Sequence, residues 1–349
     1  MKAKFCMNIY SLKQKIKELK TSAVLPLAAS FSLGLVAGIY FCNRPGTPDN
    51  DQSYQVRQGN YEFINPLVEC EISGNLFRKY KPFENEAKNK ISRIMSDQDG
   101  SNYAVYFRNL NNGPWFGINS TEKFMPASLL KVPLMIAYLK ESEHDPEILK
   151  RRISYAPIQE TTITQEIEPK EKIVQSQTYT IEDLVYRMIV YSDNEATQLL
   201  LNNIPEEKLS LVYQDLGIDT PAVEDSGNDF MSVKSYSSFF RILYNAAYLS
   251  RENSEKALSI LFKSEYKEGL VAGVPSEIKV AHKFGEYGSR EIYSEATHQL
   301  HDCGIVYFPD YPYLLCVMTR GENIEENQKK IAMISAAIYE TVNSYYGSD

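Results

Sequence analysis

The stretch Phe124 to Lys140, FMPASLLKVPLMIAYLK, constrains this chain more than any other. Leu129, Leu130, Val132, Leu134, Met135, Ile136 and Leu139 nearly encircle a helix of that sequence, so it belongs in a core with other elements packed around it. Ser128 and Lys131 stand three residues apart at its start, where positions i and i+3 share a face and a hydroxyl can meet an amine. Burying both is costly unless they are used. The spacing alone decides nothing, because Ser-x-x-Lys also occurs at Ser120/Lys123, Ser264/Lys267 and Ser276/Lys279. Only the Ser128 copy has a continuous apolar helix behind it.

At 349 residues with 43% hydrophobic side chains, the chain can bury a sizeable core in one large or two small domains. A formal net charge of −8 argues against nucleic acid as a partner for the bulk of the chain. The five cysteines, at 6, 42, 70, 303 and 316, form no Cys-x-x-Cys pair and have no histidine at zinc-ligand spacing. His298 and His301 beside Asp302 could mimic a metal site, but Ser/Lys chemistry calls for no metal or cofactor. An exported location would permit one disulfide among Cys70, Cys303 and Cys316, and the sequence does not choose which.

Residues 1–22 carry six lysines against a single acid, Glu18. Ala23 to Cys42 then runs twenty residues without a charge, which at helical rise spans roughly 30 Å, about a bilayer core. This reads as a transmembrane anchor with the basic tail cytoplasmic and everything after Cys42 outside. A cleaved signal peptide is the rival, but the run is long for one and ends Ile-Tyr-Phe-Cys rather than small-x-small. Residues 43–78 read as an extracytoplasmic linker, in which Phe63 to Val68 form an apolar patch able to dock on the domain behind it.

The folded domain is expected over 79–347. A helix is predicted near Pro82 to Ser96, then strands at Asn102 to Arg108 and Pro114 to Ile118 joined by the hairpin signal Asn111-Asn-Gly113. From about 121 to 270 the periodicity is helical, with segments at 181–189, 194–202, 205–216 and 233–249. Strands return at 277–283, 303–308 and 313–319, and a last helix runs from about Glu325 to Val342. The order describes a sheet covered by its terminal helices with an all-helical insertion, whose junction with the sheet is a natural cleft.

Two further triplets matter. Ser192-Asp193-Asn194 lies between two amphipathic helices and by itself reads as a helix N-cap. Lys283-Phe-Gly285 ends an alternating strand, and the decoy Lys267-Glu-Gly269 shows that Lys-x-Gly alone says nothing. Taken in chain order with Ser128/Lys131, however, the three resemble the motif trio of the penicillin-recognising serine enzymes, most closely the class A β-lactamase-like catalytic domain. The resemblance covers roughly residues 80 to 345. It implies an α/β (α+β) fold: a five-stranded antiparallel sheet flanked by N- and C-terminal helices, with the helical subdomain inserted.

It also implies roles. Ser128 would attack a carbonyl carbon to give an acyl-enzyme. Lys131 would take its proton if neutral, which burial beside a second cation such as Lys283 favours. Ser192 would pass a proton to the leaving nitrogen, Asn194 would hold the substrate amide or Lys131, and Lys283 would attract a substrate carboxylate. The backbone N–H groups of Ser128 and Glu286 would form the oxyanion hole, with Gly285 beside them in the binding strand. The implied substrate is a β-lactam or a peptidoglycan stem peptide of the D-alanyl-D-alanine type.

Two departures from the pattern stand out. Phe284 replaces the hydroxyl residue usual between Lys and Gly, which puts carboxylate recognition in doubt; His301 falls near where the family often keeps a carboxylate-binding arginine, although it reads more readily as a structural histidine. The Glu-x-x-Leu-Asn string whose Glu activates the deacylating water is missing. Glu224, Asp225 and Asp229 are the nearby acids that could substitute, although each also reads as a solvated loop residue. Slow release, as in a D,D-carboxypeptidase or transpeptidase-like penicillin-binding protein, is therefore expected. A non-catalytic cell-wall-binding scaffold is the alternative from another class.

Overall fold

The computed structural model describes residues 54–71, 75–96, 102–111, 113–156, 165–218, 229–288 and 298–347. Five strands form the central sheet: β3 (Asn102–Asn109), β4 (Trp115–Ile118), β7 (Val280–Gly288), β8 (His298–Val306) and β9 (Tyr313–Gly321). They lie in the order β4-β3-β9-β8-β7, every neighbouring pair antiparallel. Because side chains alternate along a strand, Val105, Phe107, Leu315 and Val317 pack on one face against helices α1 (Asn75–Ser96) and α8 (Ile324–Tyr346). Ala104, Tyr106, Leu314 and Cys316 face the opposite way, into the core of the helical block.

That block contains α2 (Lys131–Ser142), α3 (Ile181–Val190), α4 (Asn194–Leu201), α5 (Glu206–Asp215), α6 (Val233–Tyr244) and α7 (Arg251–Phe262). Helix α2 is its axis: every residue from Lys131 to Leu139 is buried, as its all-round apolar sequence requires. Each burial of a Leu-sized side chain contributes about 2 kcal/mol, so this helix carries much of the insertion's stability. The block also holds a two-stranded ribbon, β5 (Arg152–Ser154) with β6 (Thr178–Thr180), too short to have a sequence period.

Helix α1 begins earlier than expected. Pro82 lies inside it rather than at its first turn, and burial of Tyr80 and Phe83 on either side offsets the hydrogen bond that proline removes. Strand β7 likewise extends to Gly288, beyond the expected end at Lys283.

Within the expected linker, β1 (Tyr54–Arg57) pairs with β2 (Leu67–Glu71), and Phe63 and Ile64 are buried in the helical core. The Glu255 carboxylate on α7 accepts the backbone N–H groups of Glu62, Phe63 and Ile64 at 2.9–3.1 Å. The Tyr307 hydroxyl donates to Phe63 O at 2.9 Å. Glu255→Ala removes the acceptor of three amides; a hydrogen bond to a charged group contributes roughly 1.5–3 kcal/mol when buried, and water replaces the carboxylate at the exposed end of this set, so the three together amount to about one such bond. Urea unfolding should show a loss of about 2 kcal/mol, and an unchanged midpoint would mean that this segment does not brace the domain.

The basic tail 1–22 and the anchor expected over 23–42 lie outside the described residues. Among the described residues no helix is long and apolar enough to cross a membrane. Cys303 and Cys316 stand directly opposite each other on β8 and β9 and are joined as a disulfide, which settles the choice that spacing left open.

Candidate active site

Ser128 sits in a 3-10 turn, Ala127–Leu130, that runs straight into α2 at Lys131. A 3-10 turn has three residues per turn and eclipses positions i and i+3, so Ser128 and Lys131 share a face even though the helix proper starts only at the lysine. Two non-glycine residues at the site adopt left-handed backbone, Ala127 at φ 48° and Ser192 at φ 58°. Such conformations cost about 1–3 kcal/mol and cluster where function over-determines geometry.

Gly285 explains how the turn is seated. A Cβ there would lie 2.7 Å from Pro126 O and 3.0 Å from Leu129 N, so strand β7 presses its bare backbone on the turn that carries Ser128. The Tyr236 hydroxyl on α6 donates to Leu129 O at 2.9 Å from the other side.

Lys131 is buried and its Nζ donates to Ser192 O at 2.7 Å, Ser192 Oγ at 3.0 Å and Asn194 Oδ1 at 2.8 Å. Burial, and secondarily the Lys283 ammonium, hold its pKa well below the usual lysine value. Lys283, fully buried on β7, donates to Ser192 Oγ at 3.0 Å and to Phe284 O at 2.9 Å. Burial pulls it down to about 7, against the opposing pull of Asp302 and Glu286. Ser192 Oγ is thus the meeting point of two amines, one from the axial helix and one from the sheet edge.

The Ser-Asp-Asn triplet divides its labour. Asp193 is the N-cap of α4, accepting from Glu195 N at 2.8 Å and Ala196 N at 3.2 Å, and it also accepts Ile173 N at 2.8 Å. Ser192 and Asn194 point instead at Lys131. The cap and the polar cluster coexist because different residues supply them.

Two contacts at the cleft had no sequence signal. Gln165 Nε2 donates to Ser192 O at 3.3 Å, and the Ile167 N–H donates to the Glu286 carboxylate at 3.1 and 3.2 Å. Glu286 thereby ties the segment before β6 to the edge strand β7, and burial raises its carboxyl pKa. The sequence TTITQEIEPKEK around these residues has no periodicity that would have singled out Gln165.

Comparison with known proteins agrees with this geometry. The sequence model of the β-lactamase enzyme family matches residues 86–342. The chain belongs to the β-lactamase family. Solved structures share its fold: "Structure of PBP-A" is 21% identical with TM-score 0.61, covering 74% of this chain and 96% of that one. A point mutant of PBP-A, solved as an acyl-enzyme complex with penicillin G, is 21% identical with TM-score 0.62, covering 74% and 97%. A class A β-lactamase from Mycobacterium abscessus is 19% identical with TM-score 0.61, covering 74% and 99%. Among curated proteins none matches.

This β-lactamase family chain departs from the motif pattern in ways the structure makes physical. Phe284 is buried, stacked on Tyr266 with ring centroids 4.2 Å apart, and the Lys283 ammonium lies 4.1 Å from its ring centre, a cation–π contact. His301 is fully buried, its Nε2 2.9 Å from Met125 O, and burial depresses its pKa to about 4; it is a neutral core residue. His298 is three positions away on the same strand and therefore on the opposite face, where it meets Glu166 at 3.0 Å. Among the described residues no group of His, Cys, Asp and Glu could hold a metal ion. Asp229 pairs with Arg320 and accepts from Gln299 Nε2 at 2.9 Å, while Glu224 and Asp225 lie outside the described residues.

Gly285→Ala would force a Cβ against the backbone of the Ser128 turn. If Ser128 is the attacking group, a misplacement approaching about 1 Å is expected to slow acylation by up to about 10²-fold. Stopped-flow acylation with a chromogenic cephalosporin checks this, and wild-type rates in the variant would show that the turn tolerates displacement.

Proposed function

We propose that this chain is an active-site serine hydrolase, held by its N-terminal segment at the outer side of a cell membrane, that forms an acyl-enzyme with β-lactams or D-Ala-D-Ala-type peptides and releases it slowly. The observation that carries this reading is the convergence of Lys131 and Lys283 on Ser192 Oγ, each at 3.0 Å, beside the turn that bears Ser128.

In the proposed reaction the Ser128 hydroxyl attacks the carbonyl carbon while the Lys131 amine takes its proton. The N–H groups of Ser128 and Glu286 stabilise the resulting oxyanion. The carbon–nitrogen bond then breaks, Ser192 gives its proton to the departing nitrogen, and a neighbouring ammonium restores it. Among the described strands β7 is the sheet edge, with β8 as its neighbour, so a peptide substrate can lie along its outer side in the manner of an added strand. Slow release follows from the engagement of Asp229 by Arg320 and from the missing Glu-x-x-Leu-Asn string.

A D,D-carboxypeptidase or transpeptidase is the neighbouring activity within the same chemistry. The buried Phe284 and His301, in place of groups that bind a substrate carboxylate, favour a second reading, a cell-wall-binding scaffold without turnover. Incubating the protein with fluorescent penicillin and following intact mass separates them. A lasting adduct supports the proposal, rapid loss of adduct supports an efficient lactamase, and no adduct at any time supports the scaffold.

A further inference from the structure

On the face of the sheet that carries the helical block, at the edge opposite β7, the structure contains a second concavity of about 160 Å³. Its wall is one face of α6: Lys234, Ser237, Ser238 and Arg241 follow the i, i+3, i+4, i+7 spacing that on a packed helix is normally apolar. Its floor comes from the sheet. Arg108 on β3 stands directly between Trp115 on β4 and Leu314 on β9, and Tyr106, two residues earlier, shares its face.

Three cations therefore surround one hollow in a chain whose net charge is −8. Among the described residues Arg108, Lys234 and Arg241 have no carboxylate partner at ion-pair distance. Lys234 instead lies over the Trp115 ring at 5.2 Å, and that ring stacks on Tyr106 at 5.5 Å and 23°. Like charges gathered without a counter-ion repel, and a bound anion would remove that cost. Two guanidinium groups present planar forks suited to phosphate oxygens, and a third cation favours a dianion over a monoanion. A cavity near 150 Å³ accommodates a group about the size of benzene, and Trp115, 39% exposed, offers a flat apolar rim.

We propose that this pocket binds a phosphate monoester carried on a small ring, with the phosphate between Arg108, Arg241 and Lys234 and the ring against Trp115. It is a site apart from the serine chemistry. β3 and β4 are three and four strands from β7 in the sheet order, about 14–19 Å at ordinary strand spacing, and none of the lining residues belongs to the Ser128 cluster.

Trp115 is the chain's single tryptophan, so intrinsic fluorescence reads the pocket directly. The full-length protein would be titrated at constant ionic strength with phenyl phosphate and with glucose 6-phosphate, the two arms distinguishing an aryl from a sugar ester. Benzoate and inorganic phosphate serve as comparisons. The expected result is a saturable change with at least one ester, at concentrations at least ~10-fold below those needed for benzoate or inorganic phosphate. Arg241→Ser and Lys234→Ser, both at exposed positions, should each weaken it by roughly 10-fold, and Ser128→Ala should leave it unchanged. The proposal is overturned if neither ester gives a saturable change, if benzoate or inorganic phosphate binds as well as the esters, or if the Arg241→Ser/Lys234→Ser double variant, with wild-type thermal stability, binds unchanged.

Discussion

Ser128→Ala is expected to abolish the covalent penicillin adduct, reducing acylation by at least ~10⁴-fold, the scale on which removal of a serine nucleophile acts elsewhere. Ser128 is only partly buried and its neighbours in the turn are held by backbone bonds and by Tyr236. The fold should therefore survive, with a stability change within about 0.5–1 kcal/mol. The measurement is intact mass after incubation with penicillin, alongside thermal unfolding of both proteins. A wild-type adduct in a folded Ser128→Ala protein would place the nucleophile elsewhere and remove the role assigned to the turn.

Lys131→Met should lower the acylation rate by about 10²–10⁴-fold, the range for loss of a positioned general base, while retaining similar side-chain volume on the buried helix. The pH dependence separates this from simple damage. In the wild type, burial and the Lys283 charge depress the Lys131 pKa, so the rate should rise with pH as Lys131 loses its proton. Lys283, lowered to about 7, loses its charge above that pH. Acylation by a β-lactam bearing a carboxylate should then fall, whereas a neutral ester should show no such descending limb. In Lys131→Met the rising limb should vanish. A variant that is slow but keeps the wild-type rising limb would show that some other group is the base.

The same two lysines set the sign of a stability effect. Unfolded lysine titrates near 10.4, well above the folded value of about 7 for Lys283. Between those values the unfolded state binds more protons, so this group makes the protein more stable as pH rises from 7 to 9. Urea midpoints at the two pH values provide the check, and a Lys283→Met variant should lose that increment.

Much of the fold could be read from the chain because the local and global patterns agree. Apolar residues all round 124–140 demanded a central helix, and α2 is buried along nearly its whole length. The Asn111-Asn-Gly113 signal set the hairpin of β3 and β4, and alternation marked the late strands. Boundaries were less legible. The interior Pro82 of α1 and the far half of β7 depend on burial against partners distant in sequence, which a local window does not contain.

For the site, residue types in chain order were enough to nominate Ser128, Lys131, Ser192, Asn194, Lys283, Gly285 and Glu286, since the side-chain chemistry is carried by each residue on its own. Long-range contact decided the rest. It bonded both lysines to one hydroxyl, paired Cys303 with Cys316 across adjacent strands, assigned Asp193 alone to the helix cap, and buried His301 completely. Proton affinities of this kind follow from desolvation and from charges tens of residues apart in sequence, quantities that exist only once the chain has folded.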